Sequence, residues 1–272
     1  MGEGASRTRI WVHGITGRMG REIQAICAAG RASHLQLTGG SARTIEGDPL
    51  FVGKTTTPAV LASALQNSGA ELVLDFSSAA GNQVLLTAIR SDPHFKLKSV
   101  LIGSTGLSDD DHVSWRQLAA DRELRLLFAP NTSLGILMTV KAASLIAPSL
   151  RDLGFDIEIT ETHHRRKLDA PSGTAKFLAD SVASAVGGLT VVNDRHGERK
   201  EDELGVHSVR GGGVFGEHEI RIIGDSEEVR ISHRAFSRNL FAAGALVLAR
   251  WLPAQKTGVY GLLDINPADL LM

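Results

Sequence analysis

Three features of the sequence predict an α/β protein. Strand and helix signals alternate through its first half, a glycine-rich turn follows the first strand, and the patterning changes to period two beyond Asn131. The expected architecture is a Rossmann-type doubly wound parallel sheet, joined to a smaller α+β domain with a mixed sheet.

The elements follow in order. Arg9–His13 is short, apolar and stopped by Gly14, so it reads as a buried strand. Met19, Ile23, Ile26 and Cys27 then recur at helical spacing up to the stop at Gly30. Leu35–Leu37, Leu72–Phe76, Ser99–Ile102 and Leu124–Phe128 supply further strands, with helices at Ala79–Arg90 and near Asp109–Asp121. Strands separated by helices of this length form parallel βαβ units. A helix at Leu134–Ser149 precedes Phe155–Thr160, where Phe155, Ile157 and Ile159 share one face. Val206–Arg210, Glu219–Ile223 and Val229–Arg234 continue the strands, the last two joined across Gly224-Asp225. Asn239–Leu252 is a helix, and the apolar Gly258–Leu263 is suited to return to the first sheet. Asn193–Glu203 reads as an exposed loop.

Composition narrows the function. At 272 residues the chain exceeds the ~100–200 of a typical domain, so one large or two modest domains are expected. Lys and Arg (29) balance Asp and Glu (30), and aromatics make up only 5%, so neither a basic footprint nor a stacking platform for nucleic acid is expected. The single cysteine, Cys27, excludes an intrachain disulfide framework and a multi-cysteine zinc site, and it fits a reducing compartment. The polar start lacks the apolar stretch of a secretory signal, and no run of ~18 uninterrupted apolar residues appears. A cytoplasmic protein with no membrane partner is expected.

Between the first strand and helix, Gly14, Ile15, Thr16, Gly17, Arg18, Met19 and Gly20 form a G-x-x-G-x-x-G variant of the dinucleotide fingerprint. Such glycines permit a tight turn and bring backbone N–H groups to a pyrophosphate at a helix N-terminus. The acidic residue expected ~20 residues on, which grips the ribose of NAD, is replaced by Ala42-Arg43-Thr44. A guanidinium pairs with a 2′-phosphate, so Arg43, with Arg18 close to the same phosphate, predicts NADPH preferred over NADH. Glu46 is near enough in sequence to oppose this. Ligands of open α/β sheets bind beyond the carboxyl ends of strands, which selects Gly103, Ser104 and Thr105, and Ala129, Pro130, Asn131 and Thr132, for the nicotinamide side.

The densest chemistry lies in Glu161–Ala175. His163-His164-Arg165-Arg166-Lys167 is a cationic run between a half-buried strand and a well-signalled helix starting near Pro171-Ser172. The first free N–H groups of that helix, at Gly173 and Thr174, suit a carboxylate. Continued alternation puts His163 on the Ile157/Ile159 face and His164 opposite, which disfavours a shared metal.

This segment, an E-x-H-H-x-x-K-x-D-x-P-S-G-T-A pattern, resembles the signature of the dihydrodipicolinate reductase family. The glycine loop, Gly103–Gly106, the Asn131 loop and Arg210–His218 are similar as well, so the resemblance spans nearly the whole chain. It implies reduction of a cyclic imine dicarboxylate in lysine and diaminopimelate biosynthesis, and a homotetramer. His163 then matches the general acid, and Lys167 a second proton-donating or charge-stabilising residue. His164, Gly173 and Thr174 match the substrate contacts. The glycine loop, Arg43, Gly103–Thr105 and Ala129–Thr132 match the cofactor contacts. Ala42-Arg43 and Ser78-Ala79 depart from the family's frequent Glu-Arg and Arg-Pro. The expected division is 1–132 with 239–272 for the dinucleotide, and 133–238 for substrate and oligomerisation. Rival readings are another Rossmann NADP-dependent dehydrogenase of a small carboxylate, and a non-catalytic pyridine-nucleotide-binding protein.

Overall fold

The structure, a computed structural model, describes residues 7–43, 51–52, 57–92 and 96–271. The extreme N-terminus of the polar start, Thr44 and Glu46 lie outside the described residues. The chain divides into two compact units, Met1–Thr132 with Phe241–Met272, and Ser133–Leu240.

In the first unit, strands β1 (Thr8–His13), β2 (Leu35–Ser41), β3 (Phe51–Val52), β4 (Leu72–Asp75), β5 (Ser99–Ile102) and β6 (Arg125–Phe128) are joined by Gly258–Gly261 from the C-terminal segment. They form one seven-stranded parallel sheet, ordered Gly258–Gly261, β6, β5, β4, β1, β2, β3. All four residues of both β4 and β5 are buried, as a parallel sheet covered on two faces requires. The helices are α1 (Arg18–Ala28), α2 (Pro58–Ser68), α3 (Ala79–Ser91) and α4 (Asp109–Asp121). Leu61, Leu65, Leu85, Ile89, Trp115 and Leu118 from α2, α3 and α4 pack on Trp11, Val73, Val100 and Leu126 of the sheet. The strand order reverses between β1 and β4, so their outgoing loops diverge and leave a crevice at the carboxyl ends.

Helix α2 went unassigned from the sequence, although its punctuation is complete. Thr57 caps its start, Pro58 opens it, and Gly69 ends it with φ 63°. The two-residue β3 was also unassigned, being too short to show a period.

In the second unit, α5 (Leu134–Asp152) and α6 (Gly173–Val186) pack on one face of a five-stranded sheet. Its strands are β7 (Asp156–His163), β8 (Thr190–Asn193), β9 (Glu203–Arg210), β10 (Glu217–Ile223) and β11 (Glu228–Arg234), ordered β11-β10-β7-β9-β8. β10 runs antiparallel to β7 and β11, while β7/β9 and β8/β9 are parallel, giving a mixed sheet. The β10–β11 connection lies one residue beyond the expected Gly224-Asp225: Ile223 pairs with Glu228, and the Gly224 N–H donates to the Glu227 carbonyl, which leaves Asp225-Ser226 at the tip. Ile157, Ile159, Leu204, Val206, Ile220 and Ile222 form the floor on which Ile136, Val140, Leu178 and Val182 sit. By length and composition α5 is apolar enough to cross a membrane, yet it lays Ile136, Val140, Ala143 and Ala147 into this core. The final helix, α7 (Asn239–Trp251), buries Leu246, Leu248 and Trp251.

Candidate functional site

The glycine loop is shaped by close backbone approach. Gly14 has φ 89°, and a Cβ there would lie 2.5 Å from the Phe76 carbonyl oxygen. A Cβ on Gly20 would come within 2.3 Å of the Ile15 carbonyl oxygen, so α1 packs directly against the loop that starts it. Helices α2 to α6 are capped by the hydroxyls of Thr57, Ser78, Ser108, Ser133 and Ser172, whereas α1 begins at Gly17 with no side-chain cap. Its leading N–H groups therefore face no competing side-chain acceptor, the arrangement that suits a phosphate.

A cleft of about 670 Å³ opens beside this loop, lined by Gly14, Thr16, Gly17, Arg43, Phe76, Ser77 and Ser78 among others. Ile15 is instead buried, with its side chain against Gly40. Arg18 and Met19 are the first two residues of α1. Ser78, at the position where the family often has Arg-Pro, accepts a 3.2 Å hydrogen bond from the Gly81 N–H and caps α3. These features fit a dinucleotide: a glycine cradle, an uncapped helix start and a guanidinium at the rim.

Asp75, at the end of β4, organises the neighbouring loops, and sequence reasoning missed it. It is fully buried. One oxygen accepts from the Ser77 N–H (3.0 Å) and the Ser77 hydroxyl (2.6 Å). The other accepts from the Asn82 amide (2.7 Å) and the Ser104 hydroxyl (2.8 Å). Asn82 in turn accepts from the Trp115 indole at 2.7 Å. Ser104 is thus fixed to β4, while Gly103 sits so close to Phe76 that a Cβ would be 2.2 Å from its ring. Thr105 is exposed at the end of this loop. After β6, Ala129 is buried, Pro130 exposed, Asn131 half-buried, and Thr132 donates to the Phe241 carbonyl at 2.7 Å. The available signal for Asp75 was an acidic residue closing an apolar strand, with Ser77 and Ser78 beginning two residues on.

In the second unit the sheet face under α5 and α6 changes character along the strands. Alternation in β7 buries Ile157, Ile159, Glu161 and His163 in succession. Register places Ser208 of β9 and His218 of β10 on either side of Glu161, and Arg210 beside His163. The apolar floor therefore ends in a polar cluster made from the same face of three strands.

Glu161 is fully buried and saturated. It accepts from Arg210 through both oxygens (2.8 and 2.7 Å), from the Ser208 hydroxyl (2.9 Å) and from the Ser172 N–H (3.0 Å), and it meets His163 Nδ1 at 2.5 Å. Burial alone would raise its pKa, but these donors outweigh burial and hold it at about 2. A carboxylate ionised at neutral pH requires His163 Nδ1 to be the donor. The opposite ring atom, Nε2, lies over Gly216, where a Cβ would stand 3.0 Å from it. Burial pushes the His163 pKa down, against the pull of Glu161.

His218 meets the His163 ring edge-on at 5.2 Å, and burial together with the His163 charge lowers its pKa to about 3. Its Nε2 lies 3.2 Å from the Ser172 hydroxyl, which also caps α6 by accepting from the Ala175 N–H. Nδ1 of His218 and Nδ1 of His164 are buried without hydrogen-bond partners among the described residues. Lys167 grips both oxygens of Asp169 at 2.9 Å, and the Gly173 N–H also reaches that carboxylate. Gly173, expected to hold a substrate carboxylate, and Lys167, expected to stabilise charge, thus already hold a carboxylate supplied by the chain itself. Thr174 follows, half-buried, in the first turn of α6. Among the described residues, no group of three or more His, Cys, Asp or Glu is arranged to hold a metal ion.

Comparison with known proteins places this geometry. Residues 8–132 match the N-terminal part, and residues 135–265 the C-terminal part, of dihydrodipicolinate reductase. The chain is 35% identical to the 4-hydroxy-tetrahydrodipicolinate reductase of Geotalea daltonii, over 94% of this chain and 98% of that one. It is 38% identical to the enzyme of the same name from Campylobacter curvus, over 94% and 97% respectively. Among solved structures, dipicolinate-bound dihydrodipicolinate reductase from Paenisporosarcina shares the fold, with a TM-score of 0.78 over 96% of this chain and 100% of that one, at 23% identity.

Proposed function

The chain belongs to the dihydrodipicolinate reductase family, and from that premise we propose that it reduces 4-hydroxy-tetrahydrodipicolinate to tetrahydrodipicolinate. The reaction proceeds through the dehydrated cyclic imine dicarboxylate and serves lysine and diaminopimelate biosynthesis. The observation that carries this reading is the polar end of the second sheet. There a buried imidazole stands near a lysine and a helix N-terminus that together grip a carboxylate.

NADPH, preferred over NADH, supplies the hydride when bound. Gly14, Gly17 and the uncapped start of α1 hold its pyrophosphate, with Ile15, Thr16, Arg18 and Met19 completing that turn. Arg43 pairs with the 2′-phosphate. Gly103, Ser104 and Thr105, with Ala129, Pro130, Asn131 and Thr132, lie at the carboxyl ends of β5 and β6 and serve the nicotinamide side. His164, Gly173 and Thr174 bind a substrate carboxylate in place of Asp169. Lys167 stabilises the negative charge that develops in the substrate. His163 donates the proton that completes the reduction. The protein works in the cytoplasm as a homotetramer, a state that sedimentation equilibrium measures directly.

The test follows loss of nicotinamide absorbance with freshly condensed pyruvate and aspartate semialdehyde. Rapid oxidation of NADPH, slower oxidation of NADH, and none without the condensed substrate are expected. Nucleotide binding without substrate-dependent oxidation would leave a binding protein, and oxidation only with other carboxylates would leave a different dehydrogenase.

A further inference from the structure

We propose that Glu161 is the positioning residue for His163, fixing one proton on Nδ1 and favouring the cationic form in which Nε2 carries the proton that is given away. The proposal deepens the reading above and rests on His163 as the proton donor.

The geometry goes beyond what an internal ion pair needs. Arg210 already satisfies both Glu161 oxygens bidentately, and Ser208 and the Ser172 N–H add two more donors. Those four bonds come from β9 and from the start of α6, and they leave the carboxylate no freedom to turn. His163 is the fifth donor and the only one of the five whose ordinary pKa lies near neutral pH. A carboxylate locked in this way dictates the ring orientation and the tautomer together. Nδ1–H is committed to Glu161, and Nε2 is directed over Gly216, which has no side chain to obstruct it.

Charge points the same way. The groups facing the imidazole are Glu161 on its own strand, Arg210 on β9, His218 on β10 and Lys167 in the loop after β7, with His233 on β11 acting on His218. Arg210 and Lys167 oppose an imidazolium, and burial opposes it further. Among these groups only Glu161 favours it. Without that carboxylate the ring's pKa, already lowered by burial, would fall further, and the cationic form that carries an acidic proton at Nε2 would be rarer still. In the step itself, the Nε2–H bond breaks as a bond from that proton to the substrate forms. The ring is left neutral with Nδ1–H still on Glu161, and water reprotonates Nε2.

The experiment uses the full chain with isotope-labelled histidine. The His163 ring is titrated by NMR, with its signal assigned by its loss in H163Q, and the pH dependence of kcat/KM is measured in parallel. In E161Q the His163 pKa should fall by about 1–3 units, the usual effect of losing a contacting opposite charge. The high-pH limb of kcat/KM should move down with it, and E161D should restore most of both. R210Q should shift the titration upward. E161Q leaves the half-buried Arg210 without its carboxylate, so E161Q/R210Q compared with R210Q supplies the same downward shift should the single variant fail to fold. An unchanged His163 titration in both comparisons would overturn the proposal, whatever happened to activity. Wild-type turnover in H163Q would instead remove the proton-donor assignment, while the titration still reported whether Glu161 controls the ring.

Discussion

Asp75 and Glu161 are both fully buried carboxylates close to the carboxyl end of a strand, and both have every oxygen engaged, yet their partners differ in kind. Asp75 is held by two serine hydroxyls, an asparagine amide and a backbone N–H, none of which changes charge. Glu161 is held by an arginine, a serine and a backbone N–H, and beyond these by a histidine. The first arrangement braces loops: it ties the segments after β4 and β5 to α3, and through Asn82 and Trp115 to α4. The second couples a fixed charge to a group whose proton moves. A buried carboxylate thus shapes a binding loop when its donors are neutral and controls protonation when one of them titrates.

The comparison breaks most visibly at the reaction. H163Q and K167A should each lower kcat by about 10²–10⁴, the scale of general acid catalysis, as read in the nicotinamide assay. Near-normal turnover in both would leave the Glu161 cluster as a brace like the other.

A smaller effect is expected at Asp75. In D75N an amide nitrogen would meet donors already aimed at it, costing about 1–3 kcal/mol per unsatisfied group. Urea denaturation reads that loss, and NADPH binding should weaken as Ser77 and Ser104 are released. The pH dependence of turnover should stay where it is. A moved limb would mean that Asp75 also acts on protonation.

Acid stability sharpens the contrast further. His218 has its pKa depressed from 6.5 to about 3, so the unfolded chain takes up this proton before the folded one does. Stability is therefore lost as pH falls from about 6.5 toward 3. Glu161, depressed from 4.5 to about 2, adds a second loss as pH falls below 4.5. Denaturation midpoints measured against pH should show both stages, with the upper one reduced but not abolished in H218Q, because the lowered pKa values of His163 and His233 contribute to it as well.

The smallest effect belongs to the exposed pair. Asp169 is more than half exposed, and its ion pair with Lys167 is worth about 0–1 kcal/mol. D169N should leave stability nearly unchanged while freeing Lys167, so that substrate KM falls by no more than a few-fold. A raised KM would show that Asp169 helps to place the lysine rather than competing for it.

Much of the frame was legible in the chain. Ser99–Ile102 and Asp109–Asp121 read as elements with their observed bounds, because apolar runs and acidic helix starts are local signals. Alternation from Ile157 carried His163 to the buried face. The loss at α2 came from weighting apolar spacing above the Thr57, Pro58 and Gly69 punctuation. Glu161 and Arg210 both stood inside conspicuous motifs, yet they are 49 residues apart, and nothing local announces that they pair.

The sequence by itself determined which segments become strands and helices, where the glycine turn falls, and which face of β7 carries a histidine. These depend on backbone propensity and on a period counted over a few neighbouring residues. Strand order and register were decided only in three dimensions, and with them the meeting of Ser208, Arg210 and the start of α6 around one carboxylate. The reason is physical. A hydrogen bond between distant strands is selected by packing of the whole sheet, and a one-residue slip would send every one of these side chains to the opposite face.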